Sequence, residues 1–199
     1  MSAGTNLPDM RAVGLSGSPE RHGSRSRLLL ELALTQLDAA GIEVEHVDLS
    51  ALDASALLGR TRDPYVDAAL AALASARLVV VATPVYRATY SGLLKVFLDL
   101  LPNGALAGQV ALPIATGGSM SHQLALDHGL RPLLASLGAL VVPTGVYASP
   151  EYFLDGYPDR VLTERLERAV AEALALARFA PSPTDSIAGA RPSLAGTRD

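Results

Sequence analysis

Two apolar runs, each followed by a compact loop of small residues, most constrain how this chain can fold. The first run covers residues 78–81 and leads into a loop at 83–86 and a helix that opens near 91. The second covers residues 110–115 and leads into a loop at 116–119 and a further helix. Uninterrupted apolar strands are typical of parallel sheets covered on both faces. Because such sheets bind ligands at the carboxyl ends of their strands, both loops are candidate sites for a planar ligand.

Strand and helix patterns alternate along the chain. We predict strands near residues 11–16, 42–48, 78–83, 109–115 and 139–147. We predict helices near residues 26–40, 64–75, 91–101, 119–137 and 159–179. Five alternating units indicate an α/β fold with a doubly wound, five-stranded parallel sheet. The flavodoxin-like strand order 2-1-3-4-5 fits, with a ligand at the switch point between the first and third strands.

Length and composition favour a single domain. A chain of 199 residues, 49% of them hydrophobic, can bury a large core without being divided. We assign residues 11–179 to this domain and residues 1–10 to a flexible N-terminus. Residues 180–199 are rich in Pro, Ser, Gly and Ala and have little to bury, so we expect a flexible C-terminal tail.

Charge and residue usage argue against several classes of function. The net charge is −4 and no basic run is present, which argues against nucleic acid and anionic membrane surfaces. The chain has no cysteine for disulfides or thiol chemistry, and its four scattered histidines predict no metal site. It also lacks an apolar run long enough to span a membrane and a recognisable secretion signal. We therefore expect a cytoplasmic protein.

The loop after the first strand has the character of a phosphate site. Ser16 and Ser18 begin it, and Ser24, Arg25 and Ser26 lead into a helix. Free N–H groups and the dipole at a helix N-terminus favour an anion. The loop lacks the P-loop and G-x-G-x-x-G spacings, so a phosphate monoester such as that of FMN suits it better. The serines equally suit turn and N-cap roles, and Arg25 equally suits a solvated charge.

The loop after the third strand offers a surface for a flat ring. Pro84 fixes its own φ and favours an extended conformation in the preceding residue, which stiffens the turn. Val85 and Tyr86 can then lie along an isoalloxazine ring, or simply form a buried apolar loop. Arg87 can approach the flavin pyrimidine or the phosphates of a nicotinamide dinucleotide, or remain a surface charge.

The loop after the fourth strand offers backbone donors. Thr116, Gly117, Gly118 and Ser119 provide N–H groups where two missing Cβ atoms permit close approach. Such donors would stabilise the negative charge that reduced FMN carries near N1 and O2. Ser119 equally fits a helix N-cap.

These blocks together resemble a known family. The succession GSP…SRS, ATPVYRATYSGLLKVFLDLLP and LPIATGGSMSHQLALDHGLRPLL resembles the NAD(P)H-dependent FMN reductases of the flavodoxin-like superfamily, over roughly residues 11–150. The resemblance is to the branch that supplies reduced FMN to alkanesulfonate and methanesulfonate monooxygenases.

The resemblance carries several implications for this chain. It implies FMN and NADPH, with NADH possible, as ligands; an FMNH₂-dependent monooxygenase as partner; and a homodimer or homotetramer. It places His122 near the flavin. Family members often carry Arg where this chain has Glu20, so attraction of phosphate is expected to be weaker here.

Pro132 falls inside the helix predicted for residues 119–137. Its missing N–H would have bonded the carbonyl of His128, so the helix must kink, bulge or end near 128–132. A π-bulge is one solution, and such bulges are frequent at functional sites. The resemblance associates a tyrosine in this region of the alkanesulfonate branch with a π-helix at a subunit interface. This chain carries His128, as methanesulfonate-type enzymes do, which leaves open whether FMN is released or retained.

We predict an NAD(P)H:FMN oxidoreductase. Hydride transfer requires positioning rather than an acid–base side chain, so we name no catalytic residue. One alternative is a reductase that retains FMN and acts on quinones, azo dyes or metal oxyanions. An electron-carrier flavodoxin is a second, although flavodoxins are usually strongly acidic and this chain has a pI of about 5.5. A flavin-binding sensor or scaffold is a third.

Overall fold

The computed structural model describes residues 10–180; the predicted flexible ends lie outside them, apart from Met10 and Ala180. The strands are β1 Arg11–Ser16, β2 Glu43–Asp48, β3 Leu78–Tyr86, β4 Thr89–Tyr90, β5 Val110–Thr116, β6 Leu140–Val141, β7 Val146–Ala148, β8 Phe153–Leu154 and β9 Tyr157–Pro158. The α-helices are α1 Arg25–Ala39, α2 Ala54–Leu57, α3 Pro64–Ser75, α4 Gly92–Leu98, α5 Arg131–Ser136 and α6 Arg160–Phe179.

The main sheet is parallel and has the order β2-β1-β3-β5-β6, with β7 also paired to β5. This confirms the predicted α/β fold and the flavodoxin-like order 2-1-3-4-5. The predicted fifth strand is split into β6 and β7, because the backbone between them bonds elsewhere. Pro143 has no N–H, the Thr144 N–H donates to the Glu172 carboxylate at 2.8 Å, and the Gly145 carbonyl accepts from Arg165 at 3.0 Å.

Two apolar layers enclose the sheet. Val80 and Ala82 of β3 belong to the buried cluster formed with α1 and α6, while Val79 and Val81 belong to the cluster formed with α3 and α4. Successive residues of one strand therefore bury in opposite layers, which explains the uninterrupted apolar run in the sequence.

Two predicted helices differ from the observed ones. The helix predicted for 91–101 ends at Leu98, and the last turn continues with i→i−3 bonds, from Leu100 to Phe97 and from Leu101 to Leu98. Pro102 disfavours the α conformation in the residue before it, so the α-helix cannot continue.

Within residues 10–180, no helix is both long and apolar enough to cross a membrane.

The helix predicted for 119–137 consists of three pieces. A 3₁₀ turn covers Met120–His122, a π-helix covers Leu126–Leu130, and α5 follows. The Arg131 N–H donates to the Leu126 carbonyl and closes the wide turn. Pro132 thus occupies the second position of α5, where its missing N–H removes little. Of the outcomes expected at Pro132, a kink, a bulge or an end, the structure shows the π-bulge. The prediction of a single helix is wrong.

Candidate functional site

An open cleft of about 200 Å³ lies where β1, β3 and β5 end. Pro84 of β3 and Thr116 of β5 are register partners, and Ser16 of β1 pairs with Ala82. The three loops singled out in the sequence therefore meet at one edge of the sheet. The cleft is lined by Ser18, Glu20, Gly23, Ser24, Arg25, Pro84, Val85, Tyr86, Thr116, Gly117 and Gly118.

Most of the sequence-predicted site residues belong to this lining. Those outside it are Ser16, Ser26, Arg87, Ser119 and His122. Ser16 and Ser26 are buried beside the first loop. Arg87 lies at an exposed hairpin turn, Ser119 caps the 3₁₀ turn, and His122 is exposed. The sequence analysis did not assign Glu20 or Gly23 to the site. Gly23 has a φ of 72°, which a glycine directly before the N-cap serine of a helix could have signalled.

The start of the first loop is fixed by Gly17. Its N–H donates to the Ala82 carbonyl at 2.8 Å, and its carbonyl accepts from the Ser91 hydroxyl at 2.5 Å. A Cβ atom at Gly17 would lie 2.9 Å from the Leu94 Cβ, so α4 packs directly against this backbone. The Ser91 N–H in turn donates to the Thr83 hydroxyl at 3.0 Å, which joins the loop to β3.

The end of the first loop is a helix N-terminus. Ser24 is the N-cap of α1: its hydroxyl accepts from the Arg27 N–H and lies 3.1 Å from the Ser26 hydroxyl. The N–H groups of Arg25 and Ser26 have no intrahelical acceptor. The Ser16 hydroxyl is buried and has no hydrogen-bond partner among the described residues. Free amides at a helix N-terminus suit an anionic ligand, and a buried hydroxyl without a partner calls for one.

Arg27 braces this loop rather than serving the cleft. Its guanidinium pairs with Asp48 at 2.9 Å and with Glu31 at 3.1 Å, and donates to the Arg21 carbonyl at 2.9 Å. Burial alone would raise the pKa of the Asp48 carboxyl, but hydrogen bonds from Ser50 and the charge of Arg27 together lower it. Asp48 is therefore an ionised anchor for the loop.

The predicted loop at residues 83–86 is instead the end of β3. Val85 and Tyr86 pair antiparallel with Tyr90 and Thr89 of β4. The connecting residues Arg87 and Ala88 have φ values of 49° and 70°, as in a two-residue hairpin turn. The loop prediction is wrong because Arg and Ala seldom adopt positive φ, so no residue type in this segment indicated a hairpin turn.

Tyr86 is 42% exposed at the cleft. Burial raises the pKa of its phenol, and the nearby charge of Glu20 adds to this effect. Tyr86 is therefore neutral near pH 7, and Glu20 brings negative charge to the same end of the cleft.

The loop that follows β5, residues 116–119, is called the second loop from here on. It contains one glycine that is closely packed and one that faces open space. The Gly117 N–H donates to the Ala148 carbonyl at 3.0 Å, and a Cβ here would overlap the Tyr147 hydroxyl. That hydroxyl donates to the Ser119 carbonyl at 2.6 Å and secures the loop. A Cβ at Gly118 would meet no atom within 4 Å, so this residue faces open space. The sequence analysis missed Tyr147, because its role depends on a contact with a residue 28 positions earlier in the chain.

No cluster of three or more His, Asp or Glu side chains suited to a metal ion is found within residues 10–180. The lining instead combines hydroxyls, backbone amides, one guanidinium and one aromatic ring. Together with the strand order, the position of this cleft at the topological switch point defines a flavodoxin-like fold.

Comparison with known proteins places the chain more narrowly. The family described as NADPH-dependent FMN reductase matches residues 10–153, and the chain belongs to this family. An FMN reductase (NADPH) from Escherichia coli K12 is 42% identical over 166 residues, covering 83% of this chain and 86% of the relative. The NADH-dependent FMN reductase SfnF from Pseudomonas fluorescens Pf0-1 is 41% identical over 150 residues, covering 73% and 80%.

Solved structures agree with this placement. The apo form of the NADH:FMN oxidoreductase EMOB is 38% identical, has a TM-score of 0.77, and is matched over 94% of this chain and all of its own. A flavodoxin from Streptococcus pneumoniae TIGR4, at 18% identity and a TM-score of 0.55 over 84% of this chain and 98% of its own, shares the fold.

Proposed function

We propose that this chain uses NAD(P)H to reduce FMN and supplies the reduced flavin to a two-component, sulfonate-type monooxygenase. The observation that carries the proposal is the cleft itself. It joins a helix N-terminus suited to a phosphate with the ends of β3 and β5, which can hold a flat ring. Membership of the FMN reductase family supports the reaction class.

The phosphate of FMN would be held at the start of α1. Ser18, Ser24 and Arg25 line the cleft there, and their hydroxyls and guanidinium would contact the phosphate. Ser16 and Ser26 lie buried just behind them, and the Ser16 hydroxyl is free to bond. These groups offer several donors for one dianion, as a phosphate monoester requires.

The ring system would lie between the two strand ends. Pro84, Val85 and Tyr86 form one side, and Thr116, Gly117 and Gly118 form the other. Because Gly118 faces open space, a planar ring can approach its backbone without meeting a side chain. We keep Arg87, Ser119 and His122 as proposed contacts at the margin of this site.

When bound, FMN supplies the chemistry by accepting a hydride from the nicotinamide. The chain's own part is positioning. Its backbone and apolar groups orient the ring while the open side of the cleft admits the nicotinamide. The Gly117 N–H is already bonded to the Ala148 carbonyl, so the neighbouring N–H of Gly118 would stabilise negative charge near N1 and O2. No side chain needs to transfer a proton for this step.

The names of relatives bear on the partners. The Escherichia coli relative is named for NADPH and SfnF for NADH, so we propose that the chain accepts a reduced nicotinamide without assigning which. The monooxygenase partner and the homodimer or homotetramer enter the proposal from the family resemblance. The cytoplasmic location enters it from the sequence analysis. The cytoplasm fits the proposed reaction, because the enzyme needs a supply of NAD(P)H.

The test is NAD(P)H oxidation by flavin-free protein as FMN is raised from below one equivalent to a large excess. A rate that keeps rising with free FMN and then saturates is expected if FMN is a substrate that leaves in reduced form. A rate that stops rising at one FMN per subunit, and then needs a quinone, means retained FMN and favours the alternative reductase. Oxidation of neither NADPH nor NADH at any FMN concentration overturns the proposal.

A further inference from the structure

An aromatic ring that does not itself line the cleft lies against Arg25, which does. The guanidinium carbon of Arg25 lies 5.4 Å from the centroid of the Phe153 ring, within the range of a cation–π contact. We propose that Phe153 is a positioning residue that holds Arg25 for the phosphate of FMN, so that the site prefers FMN to riboflavin. This inference rests on the proposed function for the identity of the ligand.

The ring of Phe153 is well anchored. Phe153 belongs to the β8–β9 hairpin, where it pairs with Pro158. The tight turn of this hairpin includes Asp155 and Gly156, with φ values of 50° and 85°. The Phe153 side chain is partly buried and packs against the apolar cluster shared by α1 and α6. The ring is thus tied to the core beneath α1 and offers Arg25 a fixed partner.

Arg25 is in an unusual electrostatic position. It is the first residue of α1, where the helix dipole disfavours positive charge, and the first turn contains no acidic residue. Arg27 has the same difficulty but is neutralised by Asp48 and Glu31. Arg25 takes part in none of the ion pairs found among residues 10–180. Of the described residues that line the cleft, Arg25 alone is cationic.

A ring partner differs from a carboxylate partner in one respect that matters here. A carboxylate would fix the guanidinium but cancel its charge, whereas an aromatic face fixes it and leaves the charge available. The phosphate would then meet an arginine already limited in its rotamers, so less entropy is lost on binding. Glu20 also lines the cleft, so accurate placement of the single cation decides how much attraction remains.

The experiment measures dissociation constants of FMN and of riboflavin by flavin fluorescence, using flavin-free protein. The variants are Phe153→Leu, Arg25→Gln and the double variant. Tyr152→Leu is the matched control, because Tyr152 is the adjacent partly buried aromatic residue on the same core cluster. Thermal unfolding of each variant reports whether the fold is kept.

Phe153→Leu is expected to weaken FMN by about two- to fivefold while riboflavin stays unchanged. Tyr152→Leu should change neither constant. In the Arg25→Gln background, the Phe153 substitution should have no further effect on FMN, because the group it positions is gone. Phe153→Tyr should restore the wild-type preference.

Three results would overturn the inference. They are equal weakening of FMN and riboflavin by Phe153→Leu, additive effects of the two substitutions, and a wild-type protein that does not distinguish the two flavins. Failure of the proposed function looks different. In that case FMN binds and depends on Phe153, but neither NADPH nor NADH is oxidised in its presence.

Discussion

The hydroxyl of Ser91 donates a 2.5 Å hydrogen bond to the carbonyl of Gly17, across 74 positions of sequence. The same hydroxyl accepts from the Leu94 N–H at 3.1 Å, so one buried side chain caps α4 and holds the first cleft loop. The Ser91 N–H bonds the Thr83 hydroxyl. The first cleft loop and the end of β3 are therefore connected through Ser91, which is fully buried.

Ser91→Ala should lower the free energy of unfolding by about 1–3 kcal/mol, because a helix cap is lost and a buried carbonyl loses its donor. Denaturant unfolding measures this change. Ser136→Ala is the control: its hydroxyl bonds the Leu133 carbonyl on an exposed helix surface, and its effect should stay within about 0.5 kcal/mol. If both substitutions lower the free energy of unfolding equally, the bonds of Ser91 do not hold the first cleft loop to β3.

The adjacent glycines of the second loop should respond in opposite ways. Gly118→Val should leave the melting temperature nearly unchanged, because the side chain enters open space, yet weaken FMN binding by about tenfold or more by occupying the ring's place. Fluorescence titration with FMN measures the second effect. Undiminished affinity would remove this loop from the flavin site.

Gly117→Ala should destabilise the fold, because its new methyl group overlaps the Tyr147 hydroxyl. The cost should be about 1–3 kcal/mol in denaturant unfolding. Adding Tyr147→Phe removes the overlapping oxygen and should recover part of the loss, although it also removes the bond to Ser119. If the double variant is no more stable than Gly117→Ala, the destabilisation does not come from overlap with the Tyr147 hydroxyl.

Glu20→Gln should tighten FMN binding by about fivefold at low ionic strength, because a negative charge is removed from a cleft that receives a dianion. Added salt should shrink this gain through screening. Riboflavin, which lacks the phosphate, serves as the matched ligand and should bind both proteins alike. A similar gain for both flavins would mean that Glu20 acts by contact rather than by charge.

The Arg27–Asp48 pair predicts a pH-dependent stability. The folded-state pKa of Asp48 is lowered, so its contribution is fully present above the unfolded pKa and is lost as pH falls through the folded value. Asp48→Asn should therefore cost about 1 kcal/mol at pH 7 and progressively less below about pH 4. Denaturant unfolding at several pH values measures this difference.

Glu43→Gln is the control for that measurement. Glu43 pairs with Arg11 at 2.5 Å, but the Glu43 side chain is 68% exposed. An exposed pair contributes little, so the substitution should have almost no effect at any pH. A gap between Asp48→Asn and wild type that does not change with pH would contradict the ion-pair explanation.

The sequence was a good guide wherever local pattern and burial agree. Continuous apolar runs predicted the central strands, and Pro132 predicted a bulge, because a missing N–H acts locally. It failed where distant groups compete for the backbone. The break between β6 and β7 depends on Glu172 and Arg165 of α6, which lie far along the chain. No local pattern could have indicated it.

The candidate site shows the same division. Its loops were predictable because hydroxyl and glycine residues follow apolar strands, and those residues meet in the cleft. The supporting contacts were not predictable. Phe153 and Tyr147 act through tertiary contacts with Arg25 and the second loop, and neither carries a motif. The hairpin at Arg87 was hidden because its backbone conformation is uncommon for that residue.

The π-helix gives the last prediction. His128 is exposed on this segment, whereas a Cβ at the neighbouring Gly129 would lie 2.5 Å from the Thr89 hydroxyl of β4. Gly129 therefore packs against the hairpin that carries Tyr86, whereas the side chain of His128 faces solvent.

His128→Ala should leave unfolding in denaturant nearly unchanged, because the side chain is exposed, while altering assembly or the rate of FMN release. Light scattering measures assembly, and stopped-flow fluorescence measures release. Since π-bulges cost helix stability and persist where they serve a function, an exposed residue on one should matter for interaction rather than for folding. If the variant and the wild type assemble alike and release FMN at the same rate, the role of the π-helix is structural: it accommodates Pro132 and packs against β4.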